Sequence, residues 1–336
     1  MAELSEAEEP KLRLFREAMG LDPFRQRVAE AMIALRGQED VPPSKFGLSC
    51  LRQLRPRLAI PLWRGRFVVP RRAIVTNLFN HRQTPIELGW SVLKTQVEDF
   101  RGRDLTYDSH NGTDFAIPVG TRVLAAAPGE IVHVVSEFNR GGLKIFIDHG
   151  EGLMTTSAHL ARPLVRVGQV VARGEPVALS GYSGLDSLVT FPFGVPHVHF
   201  NTWLDGEPVD PFPHGGEESL WRAGELPEPM PPDCVSEPFV GSEYSASAVA
   251  EMVAGCRTQT VREGLERIEA LSTRAARVIV ESNYYPTRFE KRPNPYAAAH
   301  SRGPRLDLPF RAADFDGVVF ADGLPAALPQ SAPRAL

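Results

Sequence analysis

No stretch of the chain approaches the roughly 20 consecutive apolar residues that a membrane-spanning helix needs. The first nine residues, Met1 to Glu9, are acidic and lack the basic start and apolar core of a secretory leader. The expectation is a protein that stays in the cytoplasm, leaves by a route the sequence does not display, or is a mature form. Cysteine is scarce as well. Cys50, Cys234 and Cys256 are far apart and odd in number, which excludes a zinc ribbon, a CxxC redox pair and a disulfide framework. They are expected as reduced, buried thiols. An excess of one charge is missing too: 37 Lys and Arg stand against 41 Asp and Glu, a net −4 that names no partner. There is no internal repeat, and the HExxH of helical zinc proteases is absent.

What is abundant is turn chemistry. The 336 residues include 30 Pro and 28 Gly, above the usual share of roughly 12%. The spacing predicts two short helices within 5–36, with Leu12, Phe15 and Met19 on one and Phe24, Val28, Met32 and Leu35 on the other. Asp22 is the expected N-cap and Pro23 the first helical residue. Residues 45–72 carry eight Lys or Arg and no acid. They are expected to be solvated or to meet an acidic surface of the same protein, for which 217–243 is one candidate, rather than an external anion, and too few aromatics lie among them for stacking on nucleic acid. From about 60 to 210 the pattern is β-rich. It runs through Ala59-Ile60, Phe67–Val69, Ala73–Val75, Thr121–Ala127, Ile131–Glu137, Leu143–Asp148, Leu153–His159, Pro176–Ser180 and Val198–Leu204. Such short, closely spaced strands suit an antiparallel meander or sandwich. Residues 213–243 read as a linker or surface arm, and 245–282 return to helix with an apolar stripe from Val249 to Val278. The expected organisation is a helical extension over 1–58, a β-rich domain over 59–212, a linker over 213–243 and a helical extension with an irregular tail over 244–336.

Three short motifs carry chemistry. His110-Asn-Gly-Thr-Asp114 places His and Asp four apart around a glycine, so that both can meet at one metal ion. Alone it is a weak signal. His197-Val-His199 within a strand puts two imidazoles on one face, because i and i+2 point the same way. Neutral imidazole is a good zinc ligand. His159 closes a predicted strand and is by itself most simply structural. Together these motifs supply four His and one Asp within 90 residues. A catalytic zinc needs three protein ligands and an open position. Five groups therefore leave two histidines for proton transfer.

In this region the sequence resembles the lysostaphin-type, or LytM-like, zinc metalloendopeptidases, which cut peptide bonds of bacterial peptidoglycan. His110-Asn-Gly-Thr-Asp114 matches that family's HxGxD. Pro118-Val-Gly-Thr-Arg-Val123, Ile147-Asp-His-Gly150, Ala158-His-Leu160, Val167-Gly-Gln-Val170 and His197-Val-His-Phe200 follow in the family's order. The resemblance covers about residues 105–212. It implies one zinc ion held by His110, Asp114 and His199, with His159 and His197 flanking the attacking water. It leaves His149 structural. Three positions depart from the pattern: Ser157 stands where Tyr is frequent, Asn201 where Glu is frequent, and the 185–195 segment is longer and more apolar.

The fold class that follows is α+β, an antiparallel LytM-like core with helical N- and C-terminal extensions. The expected function is a zinc-dependent endopeptidase acting on peptidoglycan peptides. The alternatives are a zinc peptidase or amidase with a substrate outside the cell wall, and an inactive binding or regulatory module. Inactive modules typically lose ligands, and none is lost here. The expected partner is a peptide or peptidoglycan substrate, without nucleic acid and without a transmembrane segment. The sequence does not assign an oligomeric state.

Overall fold

In the computed structural model of the protein, residues 15–325 are described. Seven helices occur among them: α1 (Phe15–Met19), α2 (Phe24–Arg36), α3 (Pro56–Trp63), α4 (Leu185–Thr190), α5 (Ala246–Ala254), α6 (Gln259–Glu266) and α7 (Leu271–Tyr284). Eleven strands accompany them: β1 (Ala73–Asn77), β2 (Thr113–Ala116), β3 (Arg122–Leu124), β4 (Gly129–Glu137), β5 (Gly142–Asp148), β6 (Leu153–Pro163), β7 (Val170–Val171), β8 (Pro176–Ser180), β9 (His197–Leu204), β10 (Glu207–Val209) and β11 (Val318–Phe320). The strands form one sheet in the order β11-β1-β2-β9-β6-β5-β4-β7. β10 is added to β9, and β8 bridges β3 and β6. Every pairing is antiparallel except β1 with β11. This bears out the α+β class with a mostly antiparallel sheet and helices at both ends. Among the described residues no helix is long and apolar enough to cross a membrane.

Alternation along the strands divides the interior in two. Phe115, Ile145, Ile147, Val198 and Phe200 build the main core. Segments far outside the strands complete it: Leu220 and Trp221 from the Pro- and Glu-rich arm, and Leu306, Leu308, Phe310 and Phe315 from the tail. The segment with a linker's composition is thus partly core. Arg173 fastens the arm and the tail together, with ion pairs to Asp307 (2.5 Å) and Glu237 (3.0 Å). On the opposite face, Phe146, Met154 and Trp203 meet Ala276, Ile279 and Val280 of α7.

Several local expectations are corrected. Ala59 and Ile60 lie in α3, not in a strand, and Phe67–Val69 form no strand. Tertiary burial of Leu58, Ala59 and Leu62 decides in favour of the helix there. Asp22 is not an N-cap; its carboxylate pairs with Arg16, and its carbonyl accepts from Arg27. The face that α2 turns to the body carries Arg27 and Ala34, whereas Phe24, Val28 and Leu35 point outward. Polar docking explains this: Arg27 donates to the Ser136 carbonyl and hydroxyl, and Glu30 accepts from the Phe138 N–H. Leu12 lies outside the described residues. Within the basic block, Arg71 pairs with Asp316, an acid of the same chain. The helical stretch 245–282 breaks into α5, α6 and α7, whose apolar stripe packs inward on itself and on Phe289. All three cysteines are free, but only Cys256 is buried; Cys50 is half-buried and Cys234 exposed.

His149 is structural in its contacts. Its ring lies between the Pro128 carbonyl (2.9 Å) and the Thr155 hydroxyl (2.7 Å), and burial pushes it down to about 4. A histidine held neutral by burial stabilises the fold fully above its unfolded pKa, near 6.5. That contribution is lost as pH falls through 6.5 toward 4. Urea unfolding should therefore lose up to about 3 kcal/mol from this residue between pH 7 and pH 4. His149→Gln should start less stable at pH 7 and lose correspondingly less. The metal's own pH response cancels in the comparison, and parallel pH curves would overturn the assignment.

Candidate metal centre and cleft

Strand register builds the site. β2 lies between β1 and β9, and Asp114 pairs with His199 across one ladder and with Asn77 across the other. Directly opposed residues share a face, so Asp114 and His199 project together. His197, two residues along, joins them. His110 comes from the turn before β2, its backbone tied to Asn80. Gly112 is required within this turn: a Cβ there would stand 2.7 Å from the Phe200 carbonyl and 2.9 Å from the His199 ring. Asn201, where Glu was the expected residue, holds the same turn by donating to the Asn111 carbonyl (2.8 Å).

His159 arrives differently. It follows Ala158, which pairs with His199, so simple alternation would aim it at the other face. The ladder between β5 and β6 shifts register here, and His159 adopts φ 58°. This bulge turns its ring back beside His197, with ring centroids 4.8 Å apart.

Three atoms converge. His110 Nε2 lies 3.0 Å from Asp114 Oδ1, His199 Nδ1 lies 2.8 Å from the same oxygen, and the two nitrogens are 3.2 Å apart. These separations are near those that a tetrahedral ion with bonds of about 2.1 Å imposes. The protonation pattern supports that fit. His110 donates its Nδ1–H to the Leu78 carbonyl (2.6 Å), which leaves Nε2 a lone pair in the neutral ring. A lone pair, a carboxylate oxygen and a second imidazole nitrogen at such distances need a proton or a cation among them. The remaining carboxylate oxygen, Asp114 Oδ2, accepts from Asn77 Nδ2 at 2.8 Å. The donor set therefore fits a metal ion, and these are the residues that could hold it.

His159 and His197 stand beside this trio. Each donates Nδ1–H to a backbone carbonyl, Ser183 (2.8 Å) and Val195 (2.7 Å) respectively. In a neutral ring so anchored, Nε2 is the free nitrogen that faces the site. His197 Nε2 is 3.5 Å from Asp114 Oδ1, and His159 Nε2 is 4.0 Å from Asp186 Oδ2. Burial alone would raise the Asp114 carboxyl, but the facing His110, His197 and His199 imidazoles hold it well below the usual carboxylate range. Burial, followed by the nearby His197, pushes His159 down to about 3. His199 is lowered by burial against the pull of Asp114.

All five candidate residues thus meet in one place, at the wall of a cavity of ≈ 130 Å³ lined in part by His110, His159 and His199. The segment 185–195 is partly helical: α4 turns Leu185 and Asp186 into the cavity and leaves Leu188, Val189, Phe191 and Phe193 outside. Ser157 opposes Phe200 on the core side, so it offers the cavity no hydroxyl. Tyr107 lines the cavity, and the Tyr182 ring lies 5.1 Å from that of His197. His81 and His300 pair with Asp210 and Asp205, His214 stacks on His81, and His133 stacks on Phe146, all apart from the five. Sequence reasoning missed Asn77, Arg140 and Asp186, since no local motif marks them.

Residues 108–211 match the family model described as Peptidase family M23. Peptidoglycan DD-endopeptidase ShyA of Vibrio cholerae is 40% identical over 101 residues, which are 30% of this chain and 22% of that protein. An uncharacterized metalloprotease of Haemophilus influenzae is 34% identical over 103 residues, 31% of this chain and 20% of that one. A solved zinc-containing peptidase from Vibrio cholerae shares 29% identity over 42% of this chain and 38% of its own, with a TM-score of 0.30. The chain spans about a fifth of the length of these curated relatives. The family implies a bound metal, and the His110, Asp114 and His199 group is available to it.

The Asn77 amide orients the carboxylate without reaching the ion position itself. Asn77→Ala should weaken zinc binding about tenfold or more, read by competition with a chromophoric chelator. Unchanged affinity would show that this hydrogen bond does not orient a ligand.

Proposed function

We propose that this chain, whose residues 108–211 form a domain of peptidase family M23, is a zinc-dependent endopeptidase that hydrolyses peptide bonds of peptidoglycan. The observation that carries the reading is the convergence of His110 Nε2, Asp114 Oδ1 and His199 Nδ1 beside two carbonyl-anchored imidazoles. The proposed ligands of one zinc ion are His110, Asp114 and His199; the proposed catalytic pair is His159 and His197. A zinc ion in such a site polarises a carbonyl and lowers the pKa of an adjacent water from about 15.7 toward 7.

The chain's own residues do the rest. Nδ1 of His159 and of His197 is committed to a carbonyl, so Nε2 is the atom that can receive a proton. One ring takes the proton of the attacking water at Nε2 and delivers it to the departing amine nitrogen. Once protonated, the same Nε2–H is a charged donor for the developing oxyanion. Burial of Asp114 and His110, each 1% exposed, excludes bulk water and strengthens these interactions. A substrate outside the cell wall is the second reading. The apolar α4 segment beside the cleft and the flanking residues that line it favour this reading, since both depart from a plain peptidoglycan hydrolase domain.

The test is digestion of isolated peptidoglycan beside a diverse peptide library, with products read by mass spectrometry. New amino termini from the wall are expected, and chelation should abolish them. His159→Ala should keep zinc and lose turnover by roughly 10²-fold or more. Cleavage confined to the library would replace the first reading by the second. Stoichiometric zinc without cleavage of any substrate, unaltered in His197→Ala, would overturn both.

A further inference from the structure

Three arginines are buried among the described residues: Arg27, Arg140 and Arg173. Two of them hold a carboxylate, Arg27 through Glu30 at 2.8 Å and Arg173 through Asp307 at 2.5 Å. Arg140 holds none. It is 8% exposed, its Nε has no hydrogen-bond partner, and Nη1 reaches only the Ser44 hydroxyl at 3.3 Å. The guanidinium lies against the rings of Trp90 (5.1 Å) and Tyr285 (5.7 Å). Glu137, the nearby acid, is taken by Lys144 at 2.6 Å. A buried charge without a counter-charge is costly, and rings on two sides offset only part of that.

The position of this cation makes it informative. Arg140 lines the same cavity as His110, His159 and His199. Its neighbour Gly141 accepts the His159 backbone N–H (2.8 Å), and the Arg140 carbonyl is held by Lys144 Nζ (2.5 Å). The Arg140 backbone is thus fixed in the turn between β4 and β5, beside the bulge that aims His159, and its guanidinium extends from there to Ser44, Trp90 and Tyr285 at the cavity lining. Asp186 lines the cavity as well, from α4, but it forms no ion pair with Arg140. Burial pushes Arg140 down to about 10, which leaves it a cation at neutral pH.

We propose that Arg140 is the anchoring residue for a substrate carboxylate, so that the cleft selects peptides bearing a free carboxylate close to the scissile amide. The inference rests on the peptidase reading for the chemistry that follows binding, but the anchor itself is a binding property. A planar guanidinium with unused donors matches a carboxylate in charge and geometry. The carboxylate can be a C-terminal α-carboxylate or a side-chain carboxylate.

Two measurements test this. Cleavage of matched peptides should favour a free C-terminal or a free side-chain carboxylate over its carboxamide by about tenfold or more in kcat/KM, the size of one charge-assisted hydrogen bond. The difference should lie mostly in KM. In Arg140→Gln the ratio should collapse to about one, and in Arg140→Lys an intermediate ratio should remain. Calorimetric binding of N-acetylalanine, N-acetylglutamic acid α-amide and N-acetylalaninamide to the zinc-loaded protein should show the same order, lost in Arg140→Gln. Carboxylate probes that bind through Arg140 without cleavage of any peptide support the anchor and refute the peptidase reading. Cleavage and binding indifferent to the carboxylate refute the anchor and leave the peptidase reading standing. An equal loss on carboxylate and amide substrates assigns Arg140 to the scaffold and overturns the proposal. If Arg140→Gln does not fold, the unmodified protein's own discrimination decides.

Discussion

The site depends on one register: β2 fitted between β1 and β9 so that Asp114 lies opposite both Asn77 and His199. A slip of one residue would send Asp114 to the face that holds Phe115 and would bring Phe115 to the cavity. The core opposes that slip. Phe115, Val198 and Phe200 are at most 1% exposed and pack against Trp221 and Phe310. Each large side chain of this kind contributes about 1.5–3 kcal/mol by burial. The candidate ligand atoms are aimed by hydrophobic packing on the reverse of the sheet, and residues with no chemistry of their own set the geometry of the site.

That reverse packing draws on both ends of the chain. The arm gives Leu220 and Trp221, and the tail gives Leu306, Leu308, Phe310 and Phe315. On the site's own face, α7 covers the sheet beyond Trp203, and residues from α2 through Phe46 close over the cavity. The polar ties that hold this cover, Arg27 to Ser136 and Glu17 to Arg162 at 2.5 Å, join α1 and α2 to β4 and β6. The flanks therefore cover the cleft on the face that carries the candidate residues.

The legibility of the sequence followed the range of the forces involved. Strands with strong β-branched runs, such as 131–137, 143–148 and 198–204, were readable because alternation is a local property. β2 carries no such signal, because four residues after a turn give too short a period. Ala59-Ile60 looks extended locally, and only the packing of Leu58 and Leu62 makes α3 helical. His110 with Asp114, and His197 with His199, stand out as compact motifs, whereas His159 stands alone and is singled out only through the family resemblance. Asn77 and Arg140 were not legible, since each acquires its meaning from a partner 37 residues away or more. The outward apolar face of α2 was unreadable for the same reason: Arg27 and Glu30 meet Ser136 and Phe138 across more than 100 residues.

His159 shows how a local rule fails where chemistry is concentrated. Pairing of Ala158 with His199 puts odd and even residues of β6 on opposite faces, and by that rule the ring belongs with the core. The observed φ of 58° is disfavoured for a residue with a Cβ, by about 1–3 kcal/mol. The structure holds it there with the Gly141 carbonyl on its N–H and the Ser183 carbonyl on its Nδ1–H. A ring fixed at both backbone and side chain keeps little rotational freedom. The bulge places the imidazole beside His197, and it also sets Gly141, and with it Arg140, against the same cavity. One irregularity in the β5–β6 ladder thus brings the His159 ring and the backbone of the buried Arg140 to the same cavity.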